Sequence, residues 1–522
     1  MEGTAVPPKA TRREWIGLAV IALPCVLYSM DLTVLTLAVP ALSVELRPSP
    51  SQLLWIIDIY GFLVAGSLIT MGTLGDRIGR RRLLLIGAAA FGVASVVAAL
   101  SKSAGMLIAA RALLGVAGAT LAPSTLSLIR NMFLDPKQRT VAVSVWVISY
   151  AAGAAIGPLL GGVMLQHFWW GSVFLLGVPV MLLLLAVGPK LLPEFRDPNA
   201  GRLDLISAAM SLAAVLLVIY GLKQIAQDGF RWLQASSIVA GLAVGIVFWY
   251  RQKTLESPLL DLRLFRAPAF SASLATYLLA TFVSFGAYIF MGQYLQLVIG
   301  LSPLEAGFWT LPWAGSFIVG SNLTPFLARR FRPASVMVVG LALAAVGFGL
   351  LTRVSGSSDL AVLVAGSVVY NLGLAPVFTL TNDIIIGNTP PERAGSASAL
   401  SETGSELGGA LGIAILGSIG TAIYRNRLAH AIPAGVPSET AEAARSTLGG
   451  ALAVARRLPD PLDAALLGAA RESFAQAFQL TAAICAAVVL ATAAMVAILL
   501  QGGKTGSAPG VESDLNATDA IA

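Results

Sequence analysis

Four ionisable residues lie inside apolar stretches of this sequence, where a charge is expensive. They are Asp31, Arg111, Glu402 and Glu406. Near the middle of a bilayer such a side chain costs at least about 3 kcal/mol on insertion scales, so each is a functional candidate unless it is paired for structure. Two alternatives stay open: an Asp31–Arg111 ion pair that only fixes helix packing, and a Glu402 that is merely solvated in a water-filled vestibule.

Glu402 and Glu406 are separated by four positions, which places both carboxylates on one face of a helix. Two carboxylates so close repel each other, and this repulsion favours uptake of a proton by one of them. The apolar stretches of the second half of the chain contain no Lys or Arg that could neutralise the pair. The arrangement therefore suits a proton or a cationic ligand.

Composition indicates that the bilayer is the main solvent of this protein. Of the 522 residues, 57% are hydrophobic and 12% are charged, whereas a soluble domain carries about a quarter charged residues. Stretches of the roughly 20 apolar residues that a membrane helix needs recur along the chain. The net charge of +7 comes from short basic clusters between these stretches, which argues against a nucleic-acid partner. We predict an all-α polytopic membrane protein.

The apolar runs predict about 14 spans. Lys and Arg are concentrated in alternate connections, which places both termini in the cytoplasm. Spans seven and eight are plain apolar runs, as expected for two extra helices between two six-helix bundles. The predicted spans are 15–41, 52–74, 83–101, 105–129, 140–164, 171–190, 203–222, 235–250, 270–299, 305–328, 334–352, 359–382, 396–423 and 474–500.

These spans suggest a division of the chain into five parts. The tail is rich in Gly, Ser, Ala and acidic residues, a composition typical of disorder. The parts are a cytoplasmic N-terminal segment (1–14), an N-terminal six-helix bundle (15–190), a linker with spans seven and eight (191–266), a C-terminal six-helix bundle (267–500) with an outer loop (424–472), and the tail (501–522).

The connection after span two carries a recognisable motif, Gly72-Thr-Leu-Gly-Asp76-Arg77-Ile-Gly79-Arg80-Arg-Arg. It combines a tight glycine-bearing turn with an acid and several bases at the membrane surface. The motif resembles the signature loop of the major facilitator superfamily. The resemblance implies that the loop is a gating latch which ties helices together when the inner side is closed.

Spans four and five extend this resemblance. Arg111-Ala-Leu-Leu114-Gly115 is similar to the intramembrane arginine motif of the family, with Leu114 in place of the usual glutamine. Gly153-Ala-Ala-Ile-Gly157-Pro158 and the glycines after it are similar to the pattern of the antiporters. Small residues every four positions let helices approach closely, and a proline bends the helix. The resemblance gives Gly157 and Pro158 a role in gating.

Span one and the start of span ten point to one branch of the superfamily. Asp31-Leu-Thr-Val-Leu-Thr36-Leu-Ala-Val-Pro40 and Gly300-Leu-Ser-Pro-Leu-Glu-Ala-Gly307 resemble the 14-span drug/proton antiporters, with Thr36 where asparagine is usual. The resemblance implies a major facilitator fold of two six-helix bundles plus two linker helices. It also implies a monomer that exports amphipathic, often cationic compounds.

From this resemblance and the positions of the acids we predict the site. Proton coupling is assigned to Asp31, Arg111 and Glu406, and the proton gradient is the energy source without a cofactor. Export of an endogenous metabolite, lipid or siderophore is the alternative, whereas an enzyme is disfavoured because the chain holds two histidines and no zinc motif. The predicted substrate-binding residues are Glu402, Glu406, Asp31, Tyr28, Tyr150, Tyr294 and Trp313, the aromatic ones being packing residues in the alternative interpretation.

Overall fold

The described part of the chain is built from helices. The computed structural model describes residues 9–196, 204–255, 264–356, 358–387 and 394–501, together with residues 258 and 262. In a bilayer, backbone N–H and C=O groups must bond within the chain, and helices satisfy this condition. Among the described residues, 13 helices are long and apolar enough to cross a membrane. The predicted all-α polytopic class is therefore confirmed.

Eight helices make up the first bundle, because two of its spans are each divided into two helices. α4 with α5, and α7 with α8, follow one another within single membrane-crossing stretches. The helices are α1 (Arg12–Leu46), α2 (Pro50–Ile78), α3 (Arg80–Ala99), α4 (Ala104–Gly118), α5 (Leu121–Met132), α6 (Pro136–His167), α7 (Ser172–Leu175) and α8 (Gly177–Leu191).

The second bundle and the two helices before it complete the chain. The linker contains α9 (Leu205–Asp228) and α10 (Trp232–Thr254). After a short 3-10 turn (Leu264–Arg266) come α11 (Pro268–Gln293), a π-helical segment (Tyr294–Val298), α12 (Pro303–Trp309), α13 (Leu311–Arg330), α14 (Pro333–Leu351), α15 (Leu360–Gly387), α16 (Ala394–Ala431), α17 (Ser438–Ser446), α18 (Leu448–Ala455) and α19 (Leu462–Gln501).

The linker helices lie beside the bundles. α9 packs against α2 of the first bundle and α16 of the second, and α10 packs against α9. Two glycines bring the linker helices close: a Cβ at Gly221 would lie 2.6 Å from the carbonyl oxygen of Gln234, and one at Gly241 would lie 2.8 Å from that of Ala214. Thus α9 contacts both bundles at once.

The predicted span 305–328 is not one continuous helix. α12 ends at Trp309 and α13 begins at Leu311. Pro312, in the first turn of α13, has no N–H with which to continue the hydrogen-bond ladder of α12. α13 is not among the 13 membrane-crossing helices found in the described residues, so the total of 14 spans stays a prediction.

A glycine stripe holds α6 against α1. Side chains at Gly153, Gly157 and Gly161 would collide with α1, the first of them with the carbonyl oxygen of Val26. Three glycines at intervals of four residues lie on one helical face, so α1 and α6 can approach to backbone contact. This packing fixes the position of the α1 segment that carries Asp31.

The two bundles contact each other on the side that includes Leu46 and Ala431, which the predicted topology places outside the cell and which we call the outer side. Gln296 donates from Nε2 to the carbonyl oxygen of Leu37 over 3.1 Å. Where α12 meets α6, a Cβ at Gly307 would lie 2.7 Å from the carbonyl oxygen of Pro158. The structure is therefore closed on the outer side.

The Gly300–Gly307 motif is the start of α12. Gly300 has a φ of 89°, a left-handed conformation that favours glycine. The Ser302 hydroxyl accepts from the Glu305 N–H, and the Glu305 carboxylate accepts from the Ser302 N–H at 2.9 Å. This capping box satisfies two of the free N–H donors at the start of α12. Gly307 follows in the same helix and packs against α6.

The region predicted as an outer loop, 424–472, is largely helical. α16 continues to Ala431, α17 and α18 follow, and α19 begins at Leu462. The Tyr424 hydroxyl donates to the carbonyl oxygen of Ala444 over 2.9 Å, which ties α17 to the end of α16. The predicted tail, 501–522, lies outside the described residues except for Gln501.

Gly153→Ala should destabilise the protein, because the new methyl group meets the backbone of α1, which cannot turn aside. Overpacking of this kind costs about 1–3 kcal/mol. Gly349→Ala in α14 is the matched control, since a Cβ there meets nothing within 4 Å. Thermal unfolding in detergent should show a lower midpoint for Gly153→Ala and an equal or higher one for Gly349→Ala. Equal midpoints for Gly153→Ala and the wild type would contradict the stripe.

Candidate functional site

Asp31 and Arg111 form an ion pair between α1 and α4. Arg111 donates from Nη1 to Asp31 Oδ2, and the two side chains are 1% and 11% exposed. Removal of either partner from such a pair leaves an uncompensated buried charge. The structure thus brings together two of the residues that the sequence predicts for proton coupling.

Arg111 also binds the backbone of α2. It donates from Nε to the carbonyl oxygen of Ile56 at 3.1 Å and from Nη2 to that of Ile57 at 3.4 Å. Its guanidinium carbon lies 4.8 Å from the centre of the Tyr60 ring. A Cβ at Gly115, one turn further along α4, would lie 2.6 Å from the Tyr60 carbonyl oxygen. The arginine–glycine spacing therefore lets α4 approach α2 closely enough for the planar guanidinium to reach both carbonyls.

Glu406 of the second bundle is hydrogen-bonded to the first bundle. The Tyr28 hydroxyl donates to Glu406 Oε1 over 2.6 Å. Tyr28 lies one turn before Asp31 on α1, and its ring centre is 6.1 Å from that of Tyr60. Glu406, Tyr28, Tyr60, Arg111 and Asp31 thus form a continuous set of contacts, which we call the interbundle chain.

Aromatic side chains surround the acids of α16. The ring centres of Tyr150 and Tyr28 are 5.5 Å apart, and those of Trp146 and Tyr150 are 4.8 Å apart. Glu402 is half-buried and lies one turn before Glu406 on α16. Carboxylates and ring faces in one place can bind a flat cation.

Two of the predicted aromatic residues lie elsewhere. The Tyr294 ring packs 5.5 Å from that of Phe478 on α19. The Trp313 ring lies 4.5 Å from that of Tyr288, whose hydroxyl donates to the carbonyl oxygen of Thr33 over 3.3 Å. Tyr294 thus packs within the second bundle and Trp313 lies near its contact with α1. A substrate-binding role for either stays a prediction.

The signature loop is anchored inside the first bundle. Asp76 and Arg80 form an ion pair in which Arg80 Nη2 lies 2.5 Å from Asp76 Oδ1. Arg80 also donates from Nη1 to the carbonyl oxygen of Pro123 at 3.4 Å. Gly72 lies near the same proline, whereas Arg77 is exposed. The loop therefore connects the end of α2 to α5.

Sequence reasoning missed the partner of this loop, Glu194. Its Oε1 accepts from the Arg81 N–H at 3.1 Å, and its Oε2 lies 3.5 Å from Arg81 Nε. Gly79 has a φ of 109°, and a side chain there would collide with Glu194. The available signal was an acid directly after span six, close to a basic loop.

A second buried ion pair was also missed. Asp58 lies in α2 and Lys223 in α9. The two side chains are 0% exposed, with Lys223 Nζ 2.7 Å from Asp58 Oδ2. Nζ also lies 3.7 Å from the centre of the Trp55 ring. The signal was an acid within span two and a base directly after span seven.

Two helical bundles that contact each other on the outer side, with carboxylates on α1 and α16, form an arrangement typical of a membrane transporter. The sequence model of the Major Facilitator Superfamily matches residues 21–413 of this chain. The chain belongs to this superfamily, and it is a multi-pass transporter of small molecules and not an enzyme. The predicted major facilitator fold is confirmed.

The relatives agree in length as well as in sequence. The multidrug efflux pump LfrA of Mycolicibacterium smegmatis is 44% identical over 95% of this chain and 98% of its own length. The methyl viologen resistance protein SmvA of Salmonella typhimurium is 35% identical over 88% and 93%. A bacterial homologue of the human lysosomal transporter Spinster, in an inward-facing and unoccupied conformation, has a TM-score of 0.68 at 19% identity and covers 95% of this chain and 100% of its own. The last likeness concerns the fold alone.

Arg111→Met should destabilise the protein by about 3–5 kcal/mol, because it leaves Asp31 buried without its partner. The double variant Asp31→Asn/Arg111→Met removes both charges and should regain most of this stability while transport stays absent. Unfolding midpoints and transport in proteoliposomes measure the two effects. A double variant that transports at the wild-type rate would show that the pair serves packing only.

Proposed function

We propose that this protein is a multidrug efflux transporter that exports amphipathic cations in exchange for protons. The observation that carries the proposal is the Tyr28–Glu406 hydrogen bond, which joins the acid of the second bundle to α1, the helix that also carries Asp31. Major facilitator bundles rock around a site between them. Asp31 and Glu406 flank such a site, so both can be exposed to either side in turn.

Proton exchange follows from competition at these carboxylates. A buried carboxylate is stable when it holds a proton or binds a cation, and the two occupants exclude each other. A proton taken up from the outside is released when a cation binds from the inside. If more than one proton exchanges for a monovalent cation, the membrane potential adds about 2.3 kcal/mol per net charge per 100 mV. The proton gradient is then the energy source.

The proposed substrate class rests on the aromatic rings beside the acids. Tyr28, Tyr150 and Trp146 adjoin one another near Glu402 and Glu406. A second acid widens the range of cations that the site accepts. Two relatives support this class: one is a multidrug efflux pump, and the other is a methyl viologen resistance protein.

The proposal also covers the location of the protein and the role of its signature loop. We place the protein as a monomer in the cell membrane with both termini in the cytoplasm, in accordance with the basic inner connections. The signature loop stabilises the inward-closed state through Asp76 and its neighbouring bases, Arg77 and Arg80 among them. Gly157 and Pro158 allow α6 to bend as the bundles move.

Expression in an efflux-deficient host tests the substrate class. Wild-type protein should raise resistance to cationic antiseptics, and a protonophore should remove this resistance, because proton-driven export loses its energy source. If no compound in a broad panel changes in potency, export of an endogenous metabolite, lipid or siderophore is favoured instead.

Glu406→Gln should abolish export of cations by the folded protein, because the amide can neither release a proton nor neutralise a positive ligand. Glu472→Gln is the matched control, since Glu472 is exposed on the outer side. Export is measured in proteoliposomes with an imposed pH gradient. A Glu406→Gln protein that exports cations at the rate of the control would refute the assignment.

A further inference from the structure

Lys223 is a residue of the linker whose charged side chain is buried in the protein interior. It lies on α9, yet its side chain is 0% exposed, as is that of Asp58 on α2. Its Nζ lies 2.8 Å from Asp58 Oδ1 and 2.7 Å from Oδ2, and the Trp55 ring covers it at 3.7 Å. Lysine is a strongly hydrated cation, so its complete burial requires this geometry.

The pair acts on the turn of α2 that binds Arg111. Ile56 and Ile57, the acceptors of Arg111 Nε and Nη2, directly precede Asp58 in the chain. One side of this turn is thus fixed by Lys223 from the linker and the other by Arg111 from α4. A shift of the turn would withdraw the two carbonyls that hold the guanidinium against Asp31.

We propose that Lys223 is a positioning residue for proton exchange, since its ion pair with Asp58 holds the α2 turn that orients Arg111 towards Asp31. This inference rests on the proposed function for its consequence, a change in turnover. Its structural part, the orientation of the Arg111–Asp31 pair, is independent of what the transporter carries. Because α9 also packs against α16, the linker holds this turn next to the helix that carries Glu406.

A purely structural pair would only attach α9 to α2, and the doubly neutral variant separates the two accounts. Lys223→Met alone leaves a buried unpaired carboxylate and is expected to unfold more easily. Asp58→Asn/Lys223→Met removes both charges and should fold. Arg231→Met is the matched control, because Arg231 is an exposed cation of the same linker.

Two measurements are made on the full-length protein. The first is transport of a cation in proteoliposomes, analysed as kcat and KM. The second is labelling of Asp31 by a hydrophobic carbodiimide, to whose central carbon a protonated carboxyl group in apolar surroundings adds. The labelled position is mapped by mass spectrometry. A loosened Arg111 leaves Asp31 free to take up a proton, so its labelling should rise.

For the doubly neutral variant we expect kcat to fall about tenfold or more with KM within about twofold, the pattern of a lost step and not of lost binding. Asp31 labelling should rise severalfold, and Arg231→Met should resemble the wild type in both measurements. Wild-type kcat and wild-type labelling in the doubly neutral variant would overturn the proposal. If the wild type itself shows no proton-driven transport, the proposed function fails, and the labelling still decides whether Lys223 positions Arg111.

Discussion

The cost of a charge in an apolar interior governs this structure. Asp31 is compensated by Arg111, and Asp58 by Lys223. Glu406 differs, since the ion pairs in the described part of the chain do not include it and its side chain accepts a hydrogen bond from a neutral tyrosine. A carboxylate that is not paired with a positively charged side chain is stabilised when it binds a proton or a cation. The exchange of a proton for a cation at Glu406 is therefore the chemistry that this structure supports.

Close helix packing makes these contacts possible. Glycine stripes allow α6 to touch α1 and α4 to touch α2, so the side chains of Asp31 and Arg111 meet. Gly307 makes the corresponding approach between the two bundles, against Pro158. In a membrane, where apolar burial drives association weakly, such small-residue contacts replace the hydrophobic effect. The same glycines therefore set both the packing and the position of the charges.

Local patterns predicted the class of fold, because length, hydropathy and basic connections act within one segment. They also predicted the signature loop and the charged residues of α1, α4 and α16. The partners could not be predicted, because contacts such as Tyr28–Glu406 and Asp58–Lys223 join residues 378 and 165 positions apart. Such pairings depend on the rotation and depth of packed helices, which a single sequence does not contain. Pro312 was visible in the sequence, and it is the local signal for the break between α12 and α13.

The central claim is that Asp31 and Glu406 exchange protons with a cationic ligand, with Asp31 holding its proton in the state in which its ion pair with Arg111 is open. The most direct measurement follows the pH of a weakly buffered solution of purified protein while a cation is added at saturating concentration. The wild type should release protons, Asp31→Asn and Glu406→Gln should each release fewer, and the double variant should release none. Release of the wild-type number of protons by the double variant would contradict the account.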